Sequence, residues 1–166
     1  VERLAAQTRP RFLYTIPTFQ NPTGLCTSAE HRRQLLALAK THGFYVVEDD
    51  LYAAVAYDAP APPALKGLDD QDLVVYLTSF SKSLMPGLRL GCLIAPSFLQ
   101  ERIFSLRLAA DLVSPSLTQR ALALFLQSGG LRRHLRRALP IYCERRNALL
   151  SAMEANLPAP MRWTRP

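Results

Sequence analysis

Residues 27–50 read TSAEHRRQLLALAKTHGFYVVEDD and indicate a helix that leads directly into a strand. Thr27 and Glu30 have the spacing of a capping box, which predicts the start of a helix. Gly43 is typical of the residue that ends such a helix. The apolar run Phe44–Glu48 has the length of a strand and lies between the helix and acidic residues, so we expect a buried parallel strand.

The flanking segments continue this pattern of strands and helices. Upstream, Arg11–Ile16 predicts a short strand, followed by a turn-rich stretch. Downstream, the apolar runs Leu73–Thr78 and Leu90–Ile94 predict two further strands. Helical periodicity then predicts three helices, at residues 97–110, 117–128 and 131–156.

This order of elements predicts an α/β fold, a three-layer sandwich with a mostly parallel sheet. A second capping box, Ser97–Gln100, is expected to open the first of the three helices, and Pro140 is expected to kink the third. Only three or four strands are visible, whereas a doubly wound sheet usually has more. We therefore expect the chain to be the middle and end of a larger unit.

The composition is that of an ordinary globular protein. Of the 166 residues, 49% are apolar and 20% are charged, which excludes a disordered or collagen-like chain. No apolar run has the length of a transmembrane helix, so no membrane is expected as a partner. The three cysteines, Cys26, Cys92 and Cys143, are widely spaced. They favour reduced thiols in the cytoplasm over a disulfide framework or a metal site.

The positive charge is confined to one part of the chain. Residues 1–119 carry 11 basic and 11 acidic side chains, so the net charge of +7 lies in residues 120–166. Arginines at positions 132, 133, 136 and 137 alternate with leucines at helical spacing, and no aromatic residue separates them. This pattern favours a solvated helix face over a nucleic-acid surface.

Polar side chains follow three of the predicted strands, where ligands bind in open α/β sheets. Lys82 is the candidate nucleophile, because Lys40 lies near the end of a helix and Lys66 lies in a proline-rich loop. A lysine amine at a strand end can form a Schiff base with a carbonyl compound. The alternative is a surface lysine in a turn.

Three further candidates follow the first two strands. Asp49 comes directly after a buried strand, where a cationic ring nitrogen or an arginine would compensate its charge, or where it caps the strand end. Tyr52 can present its hydroxyl to the same ligand, or it is a packed aromatic. The amide of Asn21 can donate to a ligand oxygen, or it hydrogen-bonds its own backbone in the turn.

Ser79, Ser81 and Arg89 form a candidate anion site near Lys82. Two hydroxyls and a guanidinium suit a phosphate group, and the Pro86-Gly87 turn folds Arg89 back toward the serines. A lysine, a phosphate-sized anion pocket and a buried carboxylate together are what a pyridoxal phosphate site requires. The prediction depends on Lys82 and Asp49 facing one cleft.

These residues resemble a known family. The blocks Asn21–Gly24, Asp49–Tyr52 and Ser79–Lys82, followed by Pro86–Gly91, are similar in order and spacing to the class I/II aminotransferases. Those proteins are pyridoxal-phosphate enzymes of the aspartate-aminotransferase fold. The resemblance covers essentially the whole chain, and three blocks in register are far more specific than any one of them.

The resemblance implies a role for each candidate residue. Lys82 would hold the cofactor as a Schiff base and shuttle the proton, and Asp49 would pair with the ring nitrogen. Asn21 and Tyr52 would hydrogen-bond the cofactor's phenolic oxygen. The phosphate would be bound by a set of three residues, Ser79, Ser81 and Arg89.

The resemblance also implies domain organisation and partners. Residues 1–130 would form part of the large cofactor-binding domain, 131–156 a long interdomain helix, and 157–166 the start of a small, truncated C-terminal domain. The family's aromatic residue that stacks on the ring, its N-terminal phosphate loop and its substrate-binding arginine would lie outside the chain. Family active sites lie at a dimer interface, so a homodimer is implied.

The implied function is transamination between an amino acid and a 2-oxo acid. The sequence of Phe12–Gly24 most resembles that of the aminoadipate/kynurenine-type branch. A similar sequence occurs in MocR-type regulators, in which the aminotransferase-like domain senses an effector and a GntR-like N-terminal domain binds DNA. A related lyase or decarboxylase and an inactive truncated copy are the remaining alternatives.

Overall fold

The computed structural model describes residues 1–166, which form four strands and seven helices. The strands are β1 (Phe12–Thr15), β2 (Tyr45–Asp49), β3 (Val74–Ser79) and β4 (Gly91–Ile94). The helices are α1 (Glu2–Thr8), α2 (Ala29–His42), α3 (Leu65–Leu68), α4 (Phe80–Ser83), α5 (Ser97–Asp111), α6 (Ser116–Gln127) and α7 (Gly130–Asn156). None of these helices combines the length and apolar composition that crossing a membrane requires.

The four strands form one sheet in the order β1-β2-β3-β4. The first three strands are parallel, and β4 pairs antiparallel with β3. Helical segments connect β1 to β2 and β2 to β3. Such a crossover returns the chain to the start of the sheet, so that the next strand can run parallel to the one before it. The predicted α/β fold with a mostly parallel sheet is confirmed.

Helices α2 and α3 pack against one face of this sheet. A row of side chains from Leu13, Val46 and Val74 points to that face, and α2 and α3 add Ala39 and Leu65 to the same core. On the other face, Phe98 of α5 packs against Tyr45 of β2, whereas Phe12 and Tyr14 of β1 are 62% and 53% exposed. We call the side that α2 and α3 cover the helix-covered face, and the side on which Tyr14 lies the open face.

A buried ion pair fixes α2 against the sheet. Arg32 of α2 and Glu48 of β2 are both fully buried, with Nη1 of Arg32 3.8 Å from Oε1 of Glu48. Glu48 also accepts the backbone N–H groups of Leu65 and Lys66, at 2.7 and 2.8 Å. Burial raises the pKa of Glu48 above its ordinary value of 4.5, against the opposing effect of these two N–H groups and Arg32.

The helix starts differ from the predicted capping boxes. The N-cap of α2 is Ser28, whose hydroxyl accepts the N–H of His31, one position later than predicted. At α5, Ser97 is the first helical residue, and its hydroxyl donates to Asp72 instead of capping the helix. Each hydroxyl thus makes a hydrogen bond that the Ser/Thr-x-x-Glu/Gln spacing alone does not predict.

Most other elements agree with those predicted from the sequence, and a few were not predicted. Gly43 ends α2 in the left-handed conformation, at φ 69°. Helix α7 spans almost the range predicted and continues through Pro140. The short helices α1, α3 and α4 were not predicted from the sequence.

Candidate active site

The C-terminal ends of β2 and β3 lie side by side. Asp49 is the last residue of β2 and is in register with Leu77 of β3. Beyond them, β3 leads into α4, which carries Lys82 and packs against the 3₁₀ turn Ala53–Val55. Because that turn directly follows Tyr52, the segments bearing the second and third groups of candidate residues meet at one edge of the sheet.

Asp49 is the most informative side chain at this edge. Its Oδ2 accepts a hydrogen bond of 2.5 Å from the hydroxyl of Tyr14. Its Oδ1 is buried and has no hydrogen-bond partner among the residues of the chain. A buried carboxylate oxygen without a donor is costly, so Asp49 is prepared to accept a hydrogen bond from a ligand.

The next residue, Asp50, belongs to the opposite face. Its Oδ2 accepts the hydroxyl of Tyr76 at 3.0 Å, and Asp50 is 5% exposed. Burial and the nearby charge of Asp50 raise the pKa of Tyr76 to about 12. Successive residues of a strand alternate between faces, so Asp49 lies on the open face and Asp50 on the helix-covered face.

Asn21 and Tyr52 line one cavity, with a volume of about 490 Å³. The turn at Asn21 is held by its neighbours, since the backbone N–H and the hydroxyl of Thr23 both donate to Oε1 of Gln20. The Asn21 side chain makes no hydrogen bond of its own. The amide therefore remains available, and the interpretation that it serves only the turn is not supported.

The two serines of the candidate anion site lie together. The hydroxyl of Ser79 accepts the N–H of Ser81 at 3.1 Å, and the two hydroxyl oxygens are 3.0 Å apart. Arg89 ends the 3₁₀ turn Pro86–Leu88, is exposed and makes no hydrogen bond to either serine. The chain thus assembles the hydroxyls of this site but not its guanidinium.

Lys82 is exposed and makes no ion pair within residues 1–166. Its position on α4 brings it to the same sheet edge as Asp49, but the chain does not enclose its amine. The requirement that Lys82 and Asp49 face one cleft therefore stays a prediction.

The residues at this edge suit a pyridinium ring bearing a phosphate. The buried Oδ1 of Asp49 matches a protonated ring nitrogen, Asn21 and Tyr52 supply donors, and α4 at this edge carries Lys82. No group of three or more histidine, cysteine or acidic side chains is arranged to hold a metal ion.

Sequence reasoning did not identify Tyr14 as part of this site. It lies on β1, in register with Val47, two residues before Asp49 on the neighbouring strand. Residues two apart share a face of a sheet, so the alternation of strand residues together with this register was the signal that pointed to Tyr14.

Comparison with known proteins agrees with this geometry. The sequence model of the family described as aminotransferase class I and II matches residues 4–164. The 2-aminoadipate transaminase of Thermus thermophilus is 37% identical over 169 aligned residues, which include all of this chain and 42% of the transaminase. An uncharacterised HTH-type transcriptional regulator of Bacillus subtilis, YdfD, is 35% identical over 93% of this chain and 32% of its own length.

Among solved structures, a kynurenine aminotransferase of Pyrococcus horikoshii in complex with PMP superposes with a TM-score of 0.94 at 33% identity. The match covers 99% of this chain and 41% of that one. The chain spans about two-fifths of the length of the first curated relatives it matches.

Proposed function

This chain belongs to the aminotransferase class I and II family, and from this we propose that its protein catalyses pyridoxal-phosphate-dependent transamination between an amino acid and a 2-oxo acid. The observation that carries the proposal is the buried, unpartnered Oδ1 of Asp49 at the sheet edge that also bears Lys82. The related kynurenine aminotransferase was solved with PMP, which supports the choice of cofactor.

We assign the cofactor contacts as the sequence predicted them. Lys82 would bond to the cofactor through its amine, and Asp49 would accept a hydrogen bond from the ring nitrogen. Asn21 and Tyr52 line one cavity and would donate to the phenolic oxygen. The phosphate would be held by Ser79, Ser81 and Arg89.

When bound, pyridoxal phosphate supplies an electron-poor ring that accepts the electron pair left when the substrate loses its α proton. Asp49 would keep the ring nitrogen protonated, since its carboxylate would stabilise a positive charge beside Oδ1. Nζ of Lys82, when it is not bonded to the cofactor, would be a local base that accepts the proton from the substrate's α carbon. The paired hydroxyls of Ser79 and Ser81 would orient the phosphate and so hold the ring in place.

The wider organisation is proposed on the same basis. Residues 1–130 would belong to the cofactor-binding domain, 131–156 would be the interdomain helix, and 157–166 would open the small domain. We propose a cytoplasmic homodimer, consistent with three free cysteines in the structure.

A regulatory role is the second candidate function, because several relatives are named as HTH-type transcriptional regulators. In that case the aminotransferase-like domain would bind an effector, and DNA binding would need a separate domain before residue 1. The sequence upstream in the full gene distinguishes the two: a helix-turn-helix segment there selects the regulator.

The test of the catalytic proposal is to trap the cofactor on the full-length protein. Pyridoxal phosphate followed by borohydride reduction should leave a stable adduct that peptide mapping places on Lys82, because reduction fixes a lysine–aldehyde bond. The Lys82→Ala variant should lose this adduct and at least 1000-fold of the transamination rate, since nucleophile and base are both removed.

Lys40→Ala is the matched control, since Lys40 is an exposed lysine in the last turn of α2. It should keep both the adduct and the activity. An adduct that maps to Lys40 or Lys66, or no adduct at all in the parent protein, would refute the assignment of Lys82.

A further inference from the structure

We propose that Tyr14 is a positioning residue, whose hydroxyl holds one oxygen of Asp49 and thereby directs the other oxygen at the ring nitrogen of the cofactor. This inference rests on the proposed function, since it concerns the same site. It adds a residue of β1 to a site whose other members lie at or beyond the ends of strands.

The register of the sheet fixes this contact. Tyr14 pairs with Val47 across the parallel strands, so Asp49 is its diagonal neighbour on the open face. The hydroxyl of Tyr14 donates to Oδ2 of Asp49 at 2.5 Å. No other side chain donates to Asp49.

The two oxygens of Asp49 therefore differ in their hydrogen bonding. Oδ2 is held by the tyrosine, and Oδ1 is buried without a partner. A carboxylate held at one oxygen cannot rotate freely, so the direction of Oδ1 is set before a ligand arrives. Pre-set direction is what electrostatic stabilisation of a developing charge requires.

The protonated state of the Tyr14 hydroxyl fits this role. Its hydrogen bond to Asp49, together with burial and the charge of Asp49, raises the pKa of Tyr14 above its ordinary value of 10.0. The hydroxyl therefore stays protonated at neutral pH and remains a donor. Because Tyr14 contacts only Oδ2, the other oxygen of Asp49 is left to face the ring nitrogen.

The chain provides a matched control on its other face. Tyr76 donates to Oδ2 of Asp50 at 3.0 Å, and Oδ1 of Asp50 is also buried without a partner. The same substitution at the two tyrosines therefore removes the same kind of hydrogen bond from adjacent acids. Only the pair formed by Tyr14 and Asp49 lies on the open face.

The experiment compares Tyr14→Phe with Tyr76→Phe in the full-length holoenzyme. The first readout is the ¹⁵N chemical shift of ring-labelled pyridoxal phosphate, by solid-state NMR, which reports whether the ring nitrogen is protonated. The second is the separation of kcat from KM. In Tyr14→Phe the ring signal should move toward the unprotonated value, and kcat should fall about tenfold with KM within about twofold, as expected for one lost bond to a charged group.

The Lys82 adduct should persist in Tyr14→Phe, because the proposal assigns cofactor attachment to other residues. Tyr76→Phe should leave the ring signal and kcat unchanged. Equal effects in both variants, an unchanged ring signal in Tyr14→Phe, or loss of the adduct in that variant would each overturn the proposal. A parent protein without an adduct would instead refute the proposed function itself.

Discussion

Arg32 carries five donors into a fully buried site, and nearly all of them are used. Its Nη2 donates to the carbonyl of Pro17 at 2.8 Å and to the hydroxyl of Thr18 at 3.0 Å. Its Nε donates to the carbonyl of Thr27, and its Nη1 donates to that of Pro63. One guanidinium thus joins α2 to two loops and to Glu48, and the loop at Pro17 leads to Asn21.

At this scale we predict that Arg32→Met lowers the free energy of unfolding by about 3–5 kcal/mol. The substitution leaves the carboxylate of Glu48 buried without its cation and leaves several carbonyls without a donor. Urea unfolding of the full-length protein measures the change.

Arg33→Met is the control for this prediction. Arg33 makes an exposed ion pair with Glu30, and such pairs contribute about 0–1 kcal/mol. Equal losses of stability in Arg32→Met and Arg33→Met would contradict the importance of the buried pair.

Among the elements, β3 is anchored at its start by Asp69. The carboxylate of Asp69 is 1% exposed and accepts the backbone N–H groups of Gln71, Leu73 and Val74. Burial alone raises the pKa of Asp69, but these three donors and Lys66 outweigh it and hold the pKa below the ordinary value of 3.8.

We therefore predict that Asp69→Ala lowers the free energy of unfolding by about 2–3 kcal/mol near neutral pH, because three N–H groups lose a charged acceptor. An acid with a depressed pKa stabilises the fold above its ordinary pKa, and this contribution is lost as the pH falls through the folded value. The difference between Asp69→Ala and the parent protein should thus shrink below about pH 3.8.

Urea unfolding at several pH values checks this, with Asp70→Ala as the control. Asp70 is exposed, and its carboxylate accepts no hydrogen bond. A difference between Asp69→Ala and the parent that stayed constant down to strongly acidic pH would argue against the charged form of Asp69 as the anchor.

Across the whole molecule, one ion pair ties the C-terminal helix to the loop that follows Tyr52. Arg146 of α7 donates from both terminal nitrogens to the two oxygens of Asp58, each at 2.7 Å. Its guanidinium also lies 5.0 Å from the ring centre of Tyr57. The hydrogen bonds from Arg146 lower the pKa of Asp58, so the pair stays charged at neutral pH.

We predict that Arg146→Ala loosens this loop without unfolding the sheet. Hydrogen exchange in the full-length protein should become faster in residues 53–62 and stay unchanged in β1, β2 and β3, because the pair makes no hydrogen bond to these strands. Arg145→Ala, an exposed arginine of the same helix without an ion pair, should leave exchange in the loop unchanged. Faster exchange across the sheet would contradict this local role.

The sequence by itself determined the strands, the four longer helices and the sheet edge at which the candidate residues lie. The run from α2 through Gly43 to β2 is encoded by local signals, and the carboxyl ends of parallel strands necessarily share an edge. From that rule alone, the segments that bear Asp49 and Lys82 are predicted to lie at the same edge. The family resemblance then implied the role of each residue.

Only the tertiary structure decided which side chains meet. Tyr14 and Asp49 are 35 residues apart in the chain, and Asp58 and Arg146 are 88 apart. The type of a tyrosine or an arginine does not identify its partner, because pairing depends on strand register and on the packing of helices against the sheet. Even the local cap of α2 shifted from Thr27 to Ser28, since the choice between two adjacent hydroxyls depends on backbone geometry that the sequence pattern does not specify.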